Sequence, residues 1–377
     1  MGREKFVVDT SEPAAKIIVI GVGGAGNNAV NRMIAENMTH VEFFVANTDR
    51  QVLQTSQAKN RLILGQKTTN GLGAGGSPEI GKLAAEESKE EIAEIVKGAN
   101  MVFIAAGMGG GTGTGAAPVI ARIAREAKAL TIAIVTRPFT FEGKGRIANS
   151  VKGLNELKES VDAIIIVSND KLLMSAGNQP IGQAFKMADD VLARSVKTVT
   201  DLILMPAMIN LDFADVRNVL RNSGLALIGF GLGQGPNKAF EAAQSAVSSP
   251  LLESSLAGAA KAIVAVTCGP LVSLYEAQET VDRIREIAST NLDIKFGINI
   301  NDQLTDQILV SVIAAQFPEE YDYTTVPGPL SGGMKSQPKN EPDANLLKPQ
   351  EHPLPALEKV NEDDDLLPEF LSGKKLS

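Results

Sequence analysis

The stretch "MVFIAAGMGGGTGTGAAPVIARIAREAK", residues 101 to 128, decides how the rest of the chain is read. An apolar run leads in, a helix-forming run leads out, and six glycines lie between Gly107 and Gly115, with Thr112 and Thr114 among them. Glycine is costly to order, and an apolar core gains nothing from it. Clustered glycines at a strand-to-helix turn make sense where backbone N–H groups, aided by the positive end of the helix dipole, must come close to an anion. The stretch therefore reads as a phosphate cradle with two hydroxyl donors, against the alternative of a flexible glycine turn.

Two more glycine loops strengthen the first reading. "GVGGAGNN", residues 21 to 28, follows an apolar strand pattern and precedes a helical one, and Gly21, Gly23 and Gly26 fit the spacing G-x-G-x-x-G. "GLGAGGSPEIG", residues 71 to 81, opens a helix at Ser77–Pro78, a capping residue followed by a first-turn proline. A dinucleotide site needs only the first loop. Three loops at the ends of strands suggest a longer polyphosphate held from several sides, and the absence of G-x-x-x-x-G-K-[ST] excludes a P-loop.

Around these loops, from Lys16 to Asn169, six β-branched apolar runs alternate with helical patterns: "KIIVIGV", "VEFFVAN", "RLILG", "MVFIAAG", "LTIAIVT" and "DAIIIVSN". All are apolar on both faces, as in central strands of a parallel sheet covered by helices. The expected fold is α/β, with a doubly wound parallel-sheet domain over residues 14–180. A long apolar helix spans 181–204 and ends at Pro206. A smaller α+β domain occupies 205–316, with strands "LALIGFGLG", "AIVAVTCG", "DIKFGINI" and "QILVSVIAAQ". Its amphipathic helix carries the stripe Leu274, Ala277, Val281, Ile284 and Ala288.

After Phe317 the composition shifts. Nine of the 18 prolines and a 12-to-6 excess of acidic over basic residues fall here, so the segment holds −6 of the −8 net charge. Such a stretch cannot bury enough apolar surface to offset its ordering entropy, so a disordered linker is expected over 317–364. Residues 365–377 end it with a small apolar patch, Leu366, Leu367, Phe370 and Leu371, of the kind that folds on a partner.

The acidic balance argues against a broad nucleic-acid surface. A single cysteine, Cys268, in an apolar strand pattern forms no internal disulfide and fits a reducing compartment. No apolar stretch reaches spanning length, and the N-terminus carries no signal-peptide pattern. A cytoplasmic protein without direct membrane insertion is expected. His40 and His352 have no metal-site spacing, so no protein-held metal is expected.

Several polar residues complete a nucleotide site. Glu142 and Arg146 lie four apart, on one face if a helix starts there, with a surface ion pair as the plain alternative. Asn169 ends a hydrophobic strand. On the long helix, Phe185 and Asp189 lie four apart and present a ring and a carboxylate together. Guanine's pairing edge offers two N–H donors that a carboxylate accepts, and the ring can stack on the base. Asp190 is adjacent, and the sequence leaves the choice between the two aspartates open. In "AMINLDFADV", residues 207 to 216, Asp212 and Asp215 read as an N-cap and its N3 partner, or, with Asn210, as groups that orient a water.

Together these residues resemble the tubulin/FtsZ family, on the FtsZ side. "GMGGGTGTG" at 107–115 matches the family's signature, and "ANTD" at 46–49, "GLGAGG" at 71–76, "PFTFEG" at 138–143, "NDKLL" at 169–173 and "NLDFADV" at 210–216 follow in its order. The resemblance covers about Lys16 to Gln316 plus the terminal peptide. It implies a self-polymerising GTPase that scaffolds the cytokinetic ring at the bacterial division site. It implies GTP and GDP contacts from Gly23, Gly24, Ala25, Gly26, Asn27, Asn28, Asp49, Ala74, Gly75, Gly110, Gly111, Thr112, Gly113, Thr114 and Asn169. Glu142 and Arg146 would meet ribose and base, and Phe185 and Asp189 the guanine. Mg2+ would accompany GTP. Asn210, Asp212 and Asp215 would activate hydrolysis on the neighbouring subunit of a head-to-tail filament, and the terminal peptide would bind membrane-anchoring adaptors and division regulators. Ala207-Met208 stands where the family usually has Gly-Leu, Arg137 where lysine is usual, and "SGKK" where paired arginines are common. The rival readings are a filament with little hydrolysis, which the Ala207-Met208 pair keeps open, and a dinucleotide-dependent oxidoreductase resting on Gly21, Gly23 and Gly26.

Overall fold

A computed structural model describes residues 15–317, except 177–179, 206, 250–251, 253–255, 257 and 289–291. The expected helix stop at Pro206, the linker and the terminal peptide lie outside the described residues.

The first half alternates strands and helices: β1 (Ile17–Val22), α1 (Gly23–Ala35), β2 (Glu42–Asn47), α2 (Arg50–Thr55), β3 (Asn60–Ile63), α3 (Gln66–Thr69), α4 (Pro78–Glu87), α5 (Lys89–Val96), β4 (Met101–Gly107), α6 (Thr112–Glu126), β5 (Leu130–Arg137), α7 (Lys144–Ser160), β6 (Ala163–Ser168) and α8 (Asn169–Ala176). The long helix α9 (Ile181–Leu204) follows. Beyond it come α10 (Phe213–Leu220), β7 (Gly224–Gln234), α11 (Lys238–Val247), β8 (Lys261–Cys268), α12 (Leu274–Ala288), β9 (Asp293–Ile300) and β10 (Gln307–Ala315).

Among the described residues the strands form one ten-stranded sheet in the order β3-β2-β1-β4-β5-β6-β7-β10-β8-β9. β3 through β6 pair in parallel, and β10 runs antiparallel to both β7 and β8. The two blocks read from the sequence are thus hydrogen-bonded to one another. Their seam is the parallel β6–β7 ladder, which pairs Ala163 with Gly224, Ile164 with Leu225 and Ile165 with Ala226. Asp162 closes the end of that seam: its carboxylate accepts from Thr131 N at 2.9 Å, and its carbonyl accepts from Gly224 N at 3.0 Å.

Alternation along each strand splits the core in two. Ile18, Ile20, Val102 and Ile104 face α4, α6 and α11 on one side of the sheet. Ile17, Val19, Met101 and Phe103 face α1 and α9 on the other. β1, β4 and β5 are buried along their length, as their unbroken apolar runs require. β3 departs from expectation. It is the edge strand, half exposed, and its polar residues Asn60 and Arg61 face outward. On α12, Ala277, Val281, Ile284 and Ala288 are buried as expected, but Leu274 begins the helix and is 71% exposed. Cys268 is buried in β8, and burial pushes its thiol up to about 11.

Candidate functional site

Two helices begin inside their glycine-rich stretches. α1 starts at Gly23 and α6 at Thr112, and neither has a side-chain cap or an acidic residue in its first turn. The unsatisfied N–H groups of both first turns therefore remain available, and both dipoles favour a negative charge at that end. Between them lies a cavity of about 450 Å³. Gly24, Ala25 and Asn28 of α1 line one wall, and Gly110, Gly111, Thr112 and Gly113 another.

The glycines at this site do two different jobs. Gly24 and Gly110 have open space where a side chain would stand. Gly21 and Gly26 are packed backbone to backbone, since a Cβ on Gly26 would lie 2.2 Å from the Ala105 carbonyl oxygen. A Cβ on Gly23 would come 2.9 Å from the Gly113 nitrogen, so this glycine presses the first loop against the third. Asn27 is buried beside the Gly23 and Gly21 carbonyls, and those two acceptors assign its amide nitrogen to their side, at 2.9 and 3.0 Å. Gly23, Gly26 and Asn27, expected at the nucleotide, shape the loop and do not line the cavity.

The second glycine loop adjoins the cavity without lining it. Gly111 packs on Ala74 and Ser77, where a Cβ would come within 2.9 Å of the Ala74 side chain. Ala74 is buried, and Gly75 is exposed. Ser77 caps α4 by accepting from Ile80 N, as read from the sequence. Asp49 caps α2, accepting from Gln51 N at 2.8 Å. Thr114 is buried, and its hydroxyl accepts from Gly109 N at 2.8 Å, so it holds the third loop in shape behind the cavity wall. Thr112 does line the cavity, and its hydroxyl meets that of Thr48 at 2.7 Å.

The opposite end of the cavity is built by three segments that are distant in sequence. Phe185, Ala188 and Asp189 project from α9 at helical spacing, and Glu142, Arg146 and Asn169 join them. Glu142 and Arg146 form an ion pair, but not along one helix: Glu142 sits in a 3-10 turn, Gly143 breaks the chain with φ 100°, and α7 begins at Lys144. The other Glu142 oxygen accepts from Phe139 N at 2.9 Å. Asn169 is 6% exposed, and its side-chain oxygen has no hydrogen-bond partner. An unmet buried acceptor costs about 1–3 kcal/mol, and a donor on a bound ligand would relieve it. Phe185 meets Phe139 edge-on at 5.0 Å.

Asp189 lines this cavity, whereas Asp190 turns away and pairs with Arg32 Nε at 2.6 Å. Burial, then repulsion from Asp190, pushes the Asp189 carboxyl up to about 7, with Arg32 opposing the shift. Sequence reasoning missed Gly107, Met108, Thr136, Pro138 and Ala188 among the lining residues. Ala188 was legible, since it shares the face of Phe185 and Asp189. Nothing local marks Thr136, whose carbonyl accepts from Met108 N at 2.9 Å.

The acidic loop lies elsewhere. Asp212 caps α10 by accepting from Asp215 N at 2.7 Å, and Asp215 pairs with Lys295 at 3.5 Å. Asn210 accepts from Ala207 N at 2.8 Å, and Met208 is exposed. Backbone bonds between Ile209 and Ile298 pin the loop to β9. None of the three candidate catalytic residues lines the cavity. From Asp189 to Leu204, where α9 ends before this loop, the helix axis runs about 22 Å at 1.5 Å per residue.

Residues 16–177 match the GTPase domain model of the Tubulin/FtsZ family, and residues 224–318 match the C-terminal domain model of the FtsZ family. An empty FtsZ dimer of M. jannaschii superposes with a TM-score of 0.76 at 42% identity, covering 81% of this chain and 89% of that one. A mutant FtsZ of M. jannaschii gives 0.77 at 42% identity, with 80% and 91% covered. A GTPγS-bound protofilament of CetZ2 from Haloferax volcanii shares the fold, with a TM-score of 0.69 at 21% identity over 81% of this chain and 94% of that one. The oxidoreductase reading is overturned: the fingerprint glycines belong to a GTPase domain of a different family.

Proposed function

This chain belongs to the tubulin/FtsZ family and is a self-assembling GTPase of the cell-division cytoskeleton, and on that premise we propose that neighbouring subunits of a head-to-tail filament share each active site. GTP occupies the 450 Å³ cavity. Its phosphates meet the first turns of α1 and α6, through Gly24, Ala25 and Gly110 to Gly113. Asp189 and Asn169 read the guanine against Phe185, and Glu142 and Arg146 exchange part of their mutual pairing for the sugar and base.

One observation carries the division of labour. The cavity and the loop bearing Asn210, Asp212 and Asp215 lie toward opposite ends of α9, which is about 36 Å long. That loop cannot reach its own nucleotide, but a subunit stacked in the same orientation would bring it to its neighbour's. Contacts of this head-to-tail kind do not close on themselves and so propagate as a filament. The two carboxylates and Asn210 would then orient the attacking water.

Among the described residues, no group of three His, Cys, Asp or Glu side chains could hold a metal. At the end of the cavity assigned to the phosphates, the walls are backbone of α1 and α6 with the Thr112 hydroxyl and no carboxylate, which suits a metal carried in on phosphate oxygens. Mg2+ would sit on the triphosphate and offset the charge that develops there. A second reading, a filament that hydrolyses slowly, draws support from Asn210, whose side chain is engaged by its own loop at Ala207.

In domain terms, residues 14–180 bind nucleotide, 181–204 connect, and 205–316 activate. No described helix is long and apolar enough to cross a membrane. The apolar patch within residues 365–377 would recruit a membrane-anchoring adaptor at the cytoplasmic face of the division site, tethered by 317–364.

Sedimentation tests the central reading. The protein should pellet with GTP and stay soluble with GDP or ATP. Phosphate release per subunit should rise from near zero as protein concentration increases. A specific activity independent of concentration would overturn the shared site.

A further inference from the structure

We propose that Asp170 is the positioning residue of the base-and-sugar wall: it fastens the loop after β5 to the start of α8 and so sets guanine-nucleotide affinity without touching the nucleotide. The inference rests on the assignment of the cavity to GTP.

The loop between β5 and α7 carries two parts of that wall, Pro138 and Glu142, and much of it is exposed. It contains a single 3-10 turn at Thr140–Glu142, and Thr140, Phe141 and Gly143 are exposed. The Asp170 carboxylate grips it from α8. One oxygen accepts from Thr140 N at 2.9 Å, and the other accepts from the Thr140 hydroxyl at 2.5 Å. Hydrogen bonds to an ionised acceptor are roughly twice as strong as neutral ones. Asp170 follows directly on Asn169, whose side chain lines the cavity while that of Asp170 does not.

What the grip controls follows from the residues on either side of Thr140. Phe139 is fully buried, stacks on Phe141 with ring centroids 4.9 Å apart, and meets Phe185 edge-on. Its backbone N–H holds Glu142. Freeing Thr140 therefore loosens both the ring that backs Phe185 and the backbone donor that aims Glu142. The phosphate loops, built by α1 and α6, have no part in this clasp, so the reacting end of the nucleotide stays in place.

This role differs from that of an ordinary first-turn acid, which stabilises a helix through its charge. Asparagine separates the two. Its side chain can accept from Thr140 N and donate to the Thr140 hydroxyl, but it has no charge. GTP turnover by the full chain is the readout. Asp170→Ala should raise KM roughly tenfold, with kcat of assembled filaments at saturating GTP within about twofold of wild type. Asp170→Asn, with both bonds kept but weaker without the charge, should bring KM to about midway between alanine and wild type. Thr140→Val, at an exposed position, should raise KM by a smaller factor even if Asp170→Ala folds poorly, and the double variant should be no worse than Asp170→Ala. An unchanged KM in Asp170→Ala, a parallel fall in kcat, or an asparagine variant that behaves like alanine would overturn the inference. Asp189→Ala, measured beside them, tells the failures apart. If it too leaves KM unchanged, the cavity assignment itself fails. If it alone raises KM, only the role of Asp170 is lost.

Discussion

Asp190 places its carboxylate 2.6 Å from Arg32 Nε, and this ion pair to α1 turns it away from the cavity that its neighbour Asp189 lines. Successive residues on a helix point about 100° apart, which lets the two adjacent aspartates face different neighbours, the cavity for one and Arg32 for the other.

The first expectation concerns base choice. Asp189→Ala would leave guanine's donors unpaired in a partly buried site, at a cost of about 1–3 kcal/mol. GTP affinity should fall roughly 5- to 150-fold, with ATP binding little changed. Asp190→Ala removes only a partly exposed ion pair and should shift GTP affinity less than about threefold. Titration with a fluorescent GTP analogue compares the two variants, and the reverse ranking would reassign the base-reading carboxylate.

The raised Asp189 carboxyl gives the second. With its pKa at about 7 in the empty protein, Asp189 is mostly protonated at pH 6. Guanine's donors require the charged form, so binding must expel a proton. GTP affinity should climb about tenfold per pH unit below 7 and level off above it. For the empty protein the sign is opposite. A carboxyl raised from 3.8 to about 7 on folding binds more protons folded than unfolded, so its contribution to stability falls as pH rises through that window. Calorimetry in two buffers of different ionisation heat would count the released proton. Asp189→Asn, which cannot titrate, should abolish the release; a wild type that releases none at pH 6 contradicts the assignment.

Two glycine substitutions should separate folding from binding. Gly26→Ala drives a methyl to within 2.2 Å of the Ala105 carbonyl oxygen. Overpacking of this kind costs about 1–3 kcal/mol, so the thermal midpoint should drop by several degrees. Gly24→Ala meets no protein atom within 4 Å but puts its methyl at the cavity wall. Its thermal midpoint should match the wild type while GTP binding weakens. A Gly24→Ala protein that binds GTP normally would remove this backbone from the phosphate site.

Mixing tests the shared active site. Asp215→Ala should bind GTP normally yet release almost no phosphate. Asp189→Ala, with its acidic loop intact but its pocket impaired, should also be slow at limiting GTP. In a mixture, the intact Asp215 of one subunit meets the filled pocket of the other, and phosphate release should partly return. Mixed filaments that form without recovery would place the acidic loop's action within one chain.

Local chemistry made much of this protein legible in its sequence. Unbroken β-branched runs marked β1, β4 and β5 because burial on both faces leaves no room for polar alternation. The apolar pattern of 181–204 gave α9 its length, and Ser77 and Asp212 announced the helices they cap. The glycine loops declared that something must come close to the backbone, but not what. Gly26 meets Ala105, and Gly115 would press on the Pro78 carbonyl, whereas Gly24 and Gly110 face open space. A missing Cβ looks the same in all four, because the group that demands its absence comes from another part of the chain. Thr114 read only as a hydroxyl near the phosphates, and the bond its oxygen accepts from Gly109 N became visible only in the folded third loop. Which of Asp189 and Asp190 lines the cavity, the exposure of β3 at the sheet edge, and the separation of the acidic loop from the cavity along α9 were likewise fixed only by tertiary structure. Each depends on which distant segment packs against a residue, and packing between segments far apart in sequence leaves no local pattern to read.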